Sequence, residues 1–409
     1  MPYKRVLFVC GDYYPYPSAN GVCVLRLQDC LLKMGFLSDV ICTGISEENM
    51  MTNKYGQIHF VKSERISGNK VKRKIISAFK LLTIWPIKDS KLVSKYISAI
   101  QTMRSRYDYD FMVSVLRPIE GSLACCEFEK FVLYELDSIT NNYDNTKGIK
   151  KLFSYRSKKI EKRIYQHSRL IFHLNCHKDY YSDQQYDFIR DKFIFTDIPH
   201  LVERNNENNS GPQKIVRLMF TGALEKSRNS PEYAIILIEN LISKLEIKCD
   251  FFSRGDCENI LKQKEAEYPK TFFSRGYVSQ DELKEAVKEA DFFLSIGSHF
   301  SEKVTSIPSK VIEYMSTGKP IIHIIGTNDT AIPYLKSYGN SLLLSEHDPL
   351  NDNIVKLENF IRVSWGKRVK IADLRNIFPM NTPEWTIHKM LIGVLGDNYS
   401  YIEEENSDE

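Results

Sequence analysis

No uncharged apolar run in this sequence approaches the roughly 18 residues that a membrane-spanning helix needs, so none is expected. No charged and apolar leader stands at the front either. Arg5 runs directly into a strand pattern, and the expectation is a chain without a secretory signal. Cysteines number nine, an odd count, and none has the paired spacing of a zinc site. Cys125 and Cys126 are adjacent, which suits neither a simple disulfide nor a metal, while Cys10, Cys23, Cys30 and Cys42 sit in apolar patterns as small hydrophobes. That usage fits a reducing cytoplasm. The first strand is not followed by G-x-G-x-x-G, which removes the dinucleotide fingerprint. Internal repeats are lacking too.

What is present is long enough for two domains with full cores: 409 residues, 43% apolar and 26% charged. The net charge of +4 hides an asymmetry: residues 1–200 carry +10 and residues 201–409 carry −6, so the halves face different partners. The most basic stretch, 62–104, has eleven Lys/Arg against Glu64 and Asp89, interleaved with Ile75, Ile76, Phe79, Leu82, Ile84 and Trp85. A cationic segment with an apolar, Trp-bearing face suits a bilayer interface. Nucleic acid could also attract it, but no nucleic-acid module pattern accompanies it, so no nucleic-acid partner is expected. A solvated helix face would show the same charges.

Periodicity reads as alternating strands and helices, a doubly wound α/β architecture. Strands are predicted at Arg5–Cys10, Ser38–Thr43, Phe111–Val115, Phe131–Leu133, Leu170–Leu174 and Lys192–Thr196, with helices at Val22–Gly35 and Lys147–Arg169. Residues 1–203 form the first domain. The polar stretch 204–213 is the linker. The second domain, 214–383, has predicted strands Val216–Thr221, Cys249–Phe252, Phe272–Gly276, Phe292–Ile296, Ile321–Ile325 and Ser341–Leu344, and helices Glu232–Leu245 and Asp281–Glu289. A helix over 384–398 and an acidic tail, 399–409, complete the chain.

The most informative stretch is 305–325, TSIPSKVIEYMSTGKPIIHII. Pro308 fits a helix's first turn, Val311, Ile312 and Met315 mark a buried face, Gly318 caps the C-terminus and Pro320 stops continuation. The amides of Ser309 and Lys310 have no intrahelical partner, and the dipole adds partial positive charge, so a diphosphate could bind there. Glu313 lies one turn on, about 5.4 Å, roughly the offset from diphosphate to ribose. A capped helix with a solvated Glu fits the same letters, and both readings stand on the pattern alone.

The run PSKVIEYMSTGKPII resembles the nucleotide-sugar motif of family 4 glycosyltransferases, which have the GT-B fold: two Rossmann-like doubly wound α/β domains facing a cleft. Ser295-Ile296-Gly297-Ser298 fits the branch of that family with PSK-x-x-E-Y after I-G-N/S. Glu313 matches the second Glu of the family's Glu-x7-Glu, and Thr305 stands where the first is usual. The resemblance implies sugar transfer from a nucleotide-diphosphate donor to a glycan or lipid-linked glycan, with retention and without a metal or other cofactor. On the donor it places Gly222, Lys226, Arg228, Tyr277, Val278, Ser298, Ser309, Lys310 and Glu313, with Arg228 first for the diphosphate because a planar guanidinium grips phosphate through two bonds. On the acceptor it places Asn20 and Gly21, which an ordinary tight turn would also explain. Glu135 and Asp137, at a strand's C-terminal end, are candidates for the acceptor hydroxyl's proton; Asp137 capping the next turn is the simpler alternative. Two rival readings stand beside it: a silent glycosyltransferase-like subunit, and a nucleotide-sugar epimerase on the same fold.

Overall fold

The computed structural model describes residues 4–15, 17–44, 50–62, 83–140, 149–202, 214–299 and 309–396. The chain divides into two compact units, Met1–Pro199 with Met380–Glu409, and His200–Pro379. The expected linker 204–213 and tail 399–409 lie outside the described residues, as does Thr305.

Among the described residues the first unit is built on eight strands: β1 (Lys4–Asp12), β2 (Phe36–Thr43), β3 (Met50–Thr52), β4 (Gln57–Val61), β5 (Phe111–Val115), β6 (Phe131–Glu135), β7 (Ser168–Leu174) and β8 (Phe193–Thr196). Their order is β3-β4-β2-β1-β5-β6-β7-β8. All neighbours are parallel except β3 against β4. Every residue of β5 and β6 is buried, as continuous apolar runs in a two-faced parallel sheet should be. Helix Pro383–Leu395 packs within this unit, against helix Ala19–Lys33 and β7.

The basic segment is described in part. Its portion Ser90–Arg104 is a helix capped by Asp89, and Leu92, Tyr96, Ala99, Ile100 and Met103 face the core. This is a 3.6-residue apolar stripe that the density of lysines conceals. Trp85 is half-buried and packs on Phe153 at 6.0 Å. Residues 63–82, with Ile75, Ile76, Phe79 and Leu82, lie outside the described residues. Among the described residues no helix is long and apolar enough to cross a membrane.

Among the described residues the second unit holds six parallel strands: β9 (Val216–Leu224), β10 (Ile247–Gly255), β11 (Phe272–Ser274), β12 (Phe292–Ile296), β13 (Ile321–Ile324) and β14 (Ser341–Leu344). Their order is β11-β10-β9-β12-β13-β14. β9 extends three residues past Thr221, because Gly222, Ala223 and Leu224 pair with Ser253, Arg254 and Gly255 of β10. Helix Glu232–Glu239 stops six residues short of Leu245. There Asn240 turns its side-chain amide onto the Ile236 carbonyl at 2.8 Å, a local competitor for the helical bond.

Helix Ser309–Met315 enters β13 through a left-handed Gly318 (φ +70°), where a Cβ would sit 2.4 Å from the Val369 carbonyl oxygen. Next to it Lys319 is buried, and its ammonium donates to the carbonyls of Val287, Lys288 and Ala290 at 2.7, 2.8 and 2.6 Å. It thereby satisfies the orphan C-terminal carbonyls of helix Gln280–Glu289.

Candidate functional site

In open parallel sheets ligands bind at the carboxyl ends of the strands, and in the second unit the expected donor residues lie there. Gly222 stands near the end of β9 with φ +141°, a backbone that side chains resist. Arg228, in the loop that follows, is half-buried; its Nε donates to Ser298 Oγ at 3.3 Å. Its carbonyl accepts from His299 N at 2.6 Å. So the loop after β9 and the one after β12 are joined twice. Lys226 is exposed, its amide held by Asp256 at 2.7 Å. Tyr277, after β11, is 60% exposed with Arg254 5.7 Å from its ring, and Val278 beside it is half-buried.

Ser309, Lys310 and Glu313 are each partly exposed on their helix, and Lys310 Nζ reaches Glu313 Oε2 at 2.7 Å. The next residue, Tyr314, was not foreseen as a positioning group. It is buried and stacked on Phe293 at 4.4 Å, and its hydroxyl accepts from Thr221 N at 2.8 Å. That bond ties the helix bearing Glu313 to the backbone just before Gly222. Burial pushes the Tyr314 phenol up, and bonding to Thr221 only partly opposes this, so it stays a neutral strut.

A second unforeseen group is His323, buried in β13, with Nδ1 3.0 Å from Ser295 Oγ and Nε2 2.7 Å from Asp329 Oδ2. Burial alone would raise the Asp329 carboxyl, yet His323 and the amides of Gly326 and Ala331 hold it below its usual value. The turn they fix bonds residue 298: Thr327 N donates to Ser298 O at 3.0 Å. A lone polar residue interrupting an apolar strand was the available signal.

In the first unit the carboxyl ends of β1, β5 and β6 open on a cavity of about 710 Å³. Asn20 and Asp137 both line it, and Asp137 is exposed. Gly21 and Glu135 need correction. Gly21 is buried, and a Cβ there would lie 2.4 Å from the Asp12 carbonyl, so its role is to let helix and loop approach closely.

Glu135 is 0% exposed, its Oε2 accepting from Tyr165 at 2.8 Å, within a cluster of Tyr165, Tyr181 and His173. Burial and the nearby Glu161 raise its pKa well above the usual carboxylate range. It is a core group that no substrate hydroxyl reaches. The same network anchors the loop that presents Asp137: Ser138 Oγ is 2.8 Å from Tyr181 Oη, and Thr140 donates to Glu161 at 2.8 Å. Sequence reasoning missed it because its tyrosines come from residues 165–186, far along the chain. Among the described residues no group of three or more His, Cys, Asp or Glu could hold a metal.

No protein-family profile and no curated protein matches the chain. Solved structures do. A glycosyltransferase from Rickettsia africae aligns with TM-score 0.58 at 11% identity, over 97% of this chain and 100% of that one. HepE from Anabaena, in complex with UDP and glucose, gives 0.57 at 11%, over 95% and 99%. The chain has the GT-B fold. The same fold is carried by the UDP-GlcNAc 2-epimerase of Methanocaldococcus jannaschii, with TM-score 0.55 at 13% identity, over 94% and 99%. Glycosyltransferases among these structural neighbours agree with the family 4 resemblance of the motif, and the likeness itself is one of fold.

Proposed function

We propose that this protein is a retaining glycosyltransferase. It moves a sugar from a nucleotide-diphosphate donor to a glycan or lipid-linked glycan in bacterial surface polysaccharide biosynthesis, at the cytoplasmic face of the membrane. The observation that carries this is the double tie between Arg228 and residues 298–299, beside the Tyr314 bond that fixes the Glu313 helix to Thr221. In this reading Arg228, Lys226 and Lys310 meet the charge that develops on the leaving diphosphate, without a metal ion. Glu313 accepts from the ribose hydroxyls, Tyr277 and Val278 face the base, and Gly222, Ser298 and Ser309 line the diphosphate and sugar. Asp137 takes the acceptor hydroxyl's proton, and Asn20 helps seat the acceptor.

The test is a screen of nucleotide-sugars for release of nucleoside diphosphate, with and without glycan acceptors. Release that rises with an acceptor supports transfer. Conversion of donor with no acceptor would support an epimerase, a reading favoured by the epimerase of the same fold. Silence with every donor would support a binding subunit. Membrane contact through 62–104 belongs to the same proposal. Liposome binding should rise with anionic lipid and fall with salt; salt-independent or absent binding removes it.

A further inference from the structure

The cavity at the ends of β1, β5 and β6 mixes charges of both signs, and most of its carboxylates already have partners. Asp12 Oδ1 accepts from Thr43 at 3.0 Å. Asp89 Oδ1 caps the following helix through Lys91 N at 3.1 Å, and Glu120 Oε1 holds the amides of Lys88 and Asp89 at 2.5 and 3.0 Å. The cations are not so engaged. Arg117 is half-buried, and among the described residues its only hydrogen bond is to the Ser138 carbonyl at 3.4 Å. No carboxylate lies within 4.0 Å of it in that set, although Glu135 feels its charge. Lys88, also lining the cavity, is exposed and its ammonium has no ion pair among the described residues.

A half-buried guanidinium with five donors and one long bond is under-satisfied, and a planar anion is the ligand its fork fits best. We propose that the acceptor carries an anionic group, a phosphate or a carboxylate, which Arg117 grips with help from Lys88, while Asp137 and Asn20 take neighbouring hydroxyls. This rests on the transferase reading and narrows its acceptor class.

The test is calorimetric titration of the full-length protein, with nucleoside diphosphate present to fill the donor site. The probes are methyl β-D-glucuronide, methyl β-D-glucoside, farnesyl phosphate and inorganic phosphate. At least one anionic probe should bind ten-fold or more tightly than the neutral glucoside. Arg117→Gln should lose that preference, Arg117→Lys keep part of it, and Lys88→Gln, on an exposed side chain, weaken it several-fold. A response to farnesyl phosphate alone identifies a lipid phosphate, and to the glucuronide alone an acidic sugar; both uphold the anionic class. Equal binding of charged and neutral probes, or anion affinities within two-fold in wild type, Lys88→Gln and Arg117→Gln, overturns it. Nucleoside diphosphate affinity is measured separately; its absence would sink the donor reading and leave the anion result standing.

Discussion

Replacing Glu313 by alanine tests the donor reading most directly. A hydrogen bond to a charged acceptor is worth about 1.5–3 kcal/mol net, and a ribose offers two hydroxyls. The full sum is not expected here. Glu313 Oε2 already holds Lys310 Nζ at 2.7 Å, and the carboxylate side chain is 21% exposed, so water replaces part of what is lost. Releasing Lys310 also leaves a cation free to attract the diphosphate. The expected loss is about 1–3 kcal/mol, roughly 5- to 150-fold in Kd. The assay is calorimetry with the nucleoside diphosphate found in the donor screen and with its 2′-deoxy counterpart. Wild type should bind the deoxy compound more weakly, and Glu313→Ala should hardly distinguish the two, closing a double-mutant cycle on that one contact. A variant that binds within two-fold of wild type, or that keeps the full deoxy penalty, refutes the ribose role.

Arg228→Ala should depress turnover by about 100-fold or more, the scale of a lost charge-stabilising donor, while the thermal melt shifts by only a few degrees; retained turnover, or a collapsed melt, would argue against it. For Glu135, burial raises the folded pKa, so stability is complete below the unfolded value near 4.3 and falls as pH rises above it, by up to about ten-fold in the folding equilibrium per pH unit. Glu135→Gln mimics the protonated form, so its urea midpoint should gain on wild type between pH 5 and pH 8, and parallel pH slopes would show the carboxyl is not held neutral. Lys319→Met strands three carbonyls at a helix end, two of them in buried bonds, and should cost about 2–4 kcal/mol in urea unfolding; a loss under about 0.5 kcal/mol would mean the ammonium contributes no net stability.

The elements that stood out in the sequence are those whose pattern is set within a few residues. β5, β12 and β14 fall where their apolar runs begin and end. The short helix before β13 and its Gly318 cap follow from local rules of backbone conformation, and the motif letters around Glu313 were legible for the same reason. The helix Ser90–Arg104 is obscured in the sequence because Lys91, Lys95 and Arg104 stand among the residues of its apolar stripe. Other features depend on partners far away in the chain, and no local rule contains those. Glu135 and Asp137 look equivalent at the end of one strand, two residues apart. Only the tyrosines folded in from residues 165–186 bury the first and hold the loop that leaves the second exposed. Arg117 looks like any loop arginine until the folded sheet places it in a cavity where most carboxylates are already bonded to other groups. Local sequence determined which segments became strands and helices; tertiary packing decided which charges were neutralised and which were left for a ligand, because burial and pairing are properties of neighbours in space.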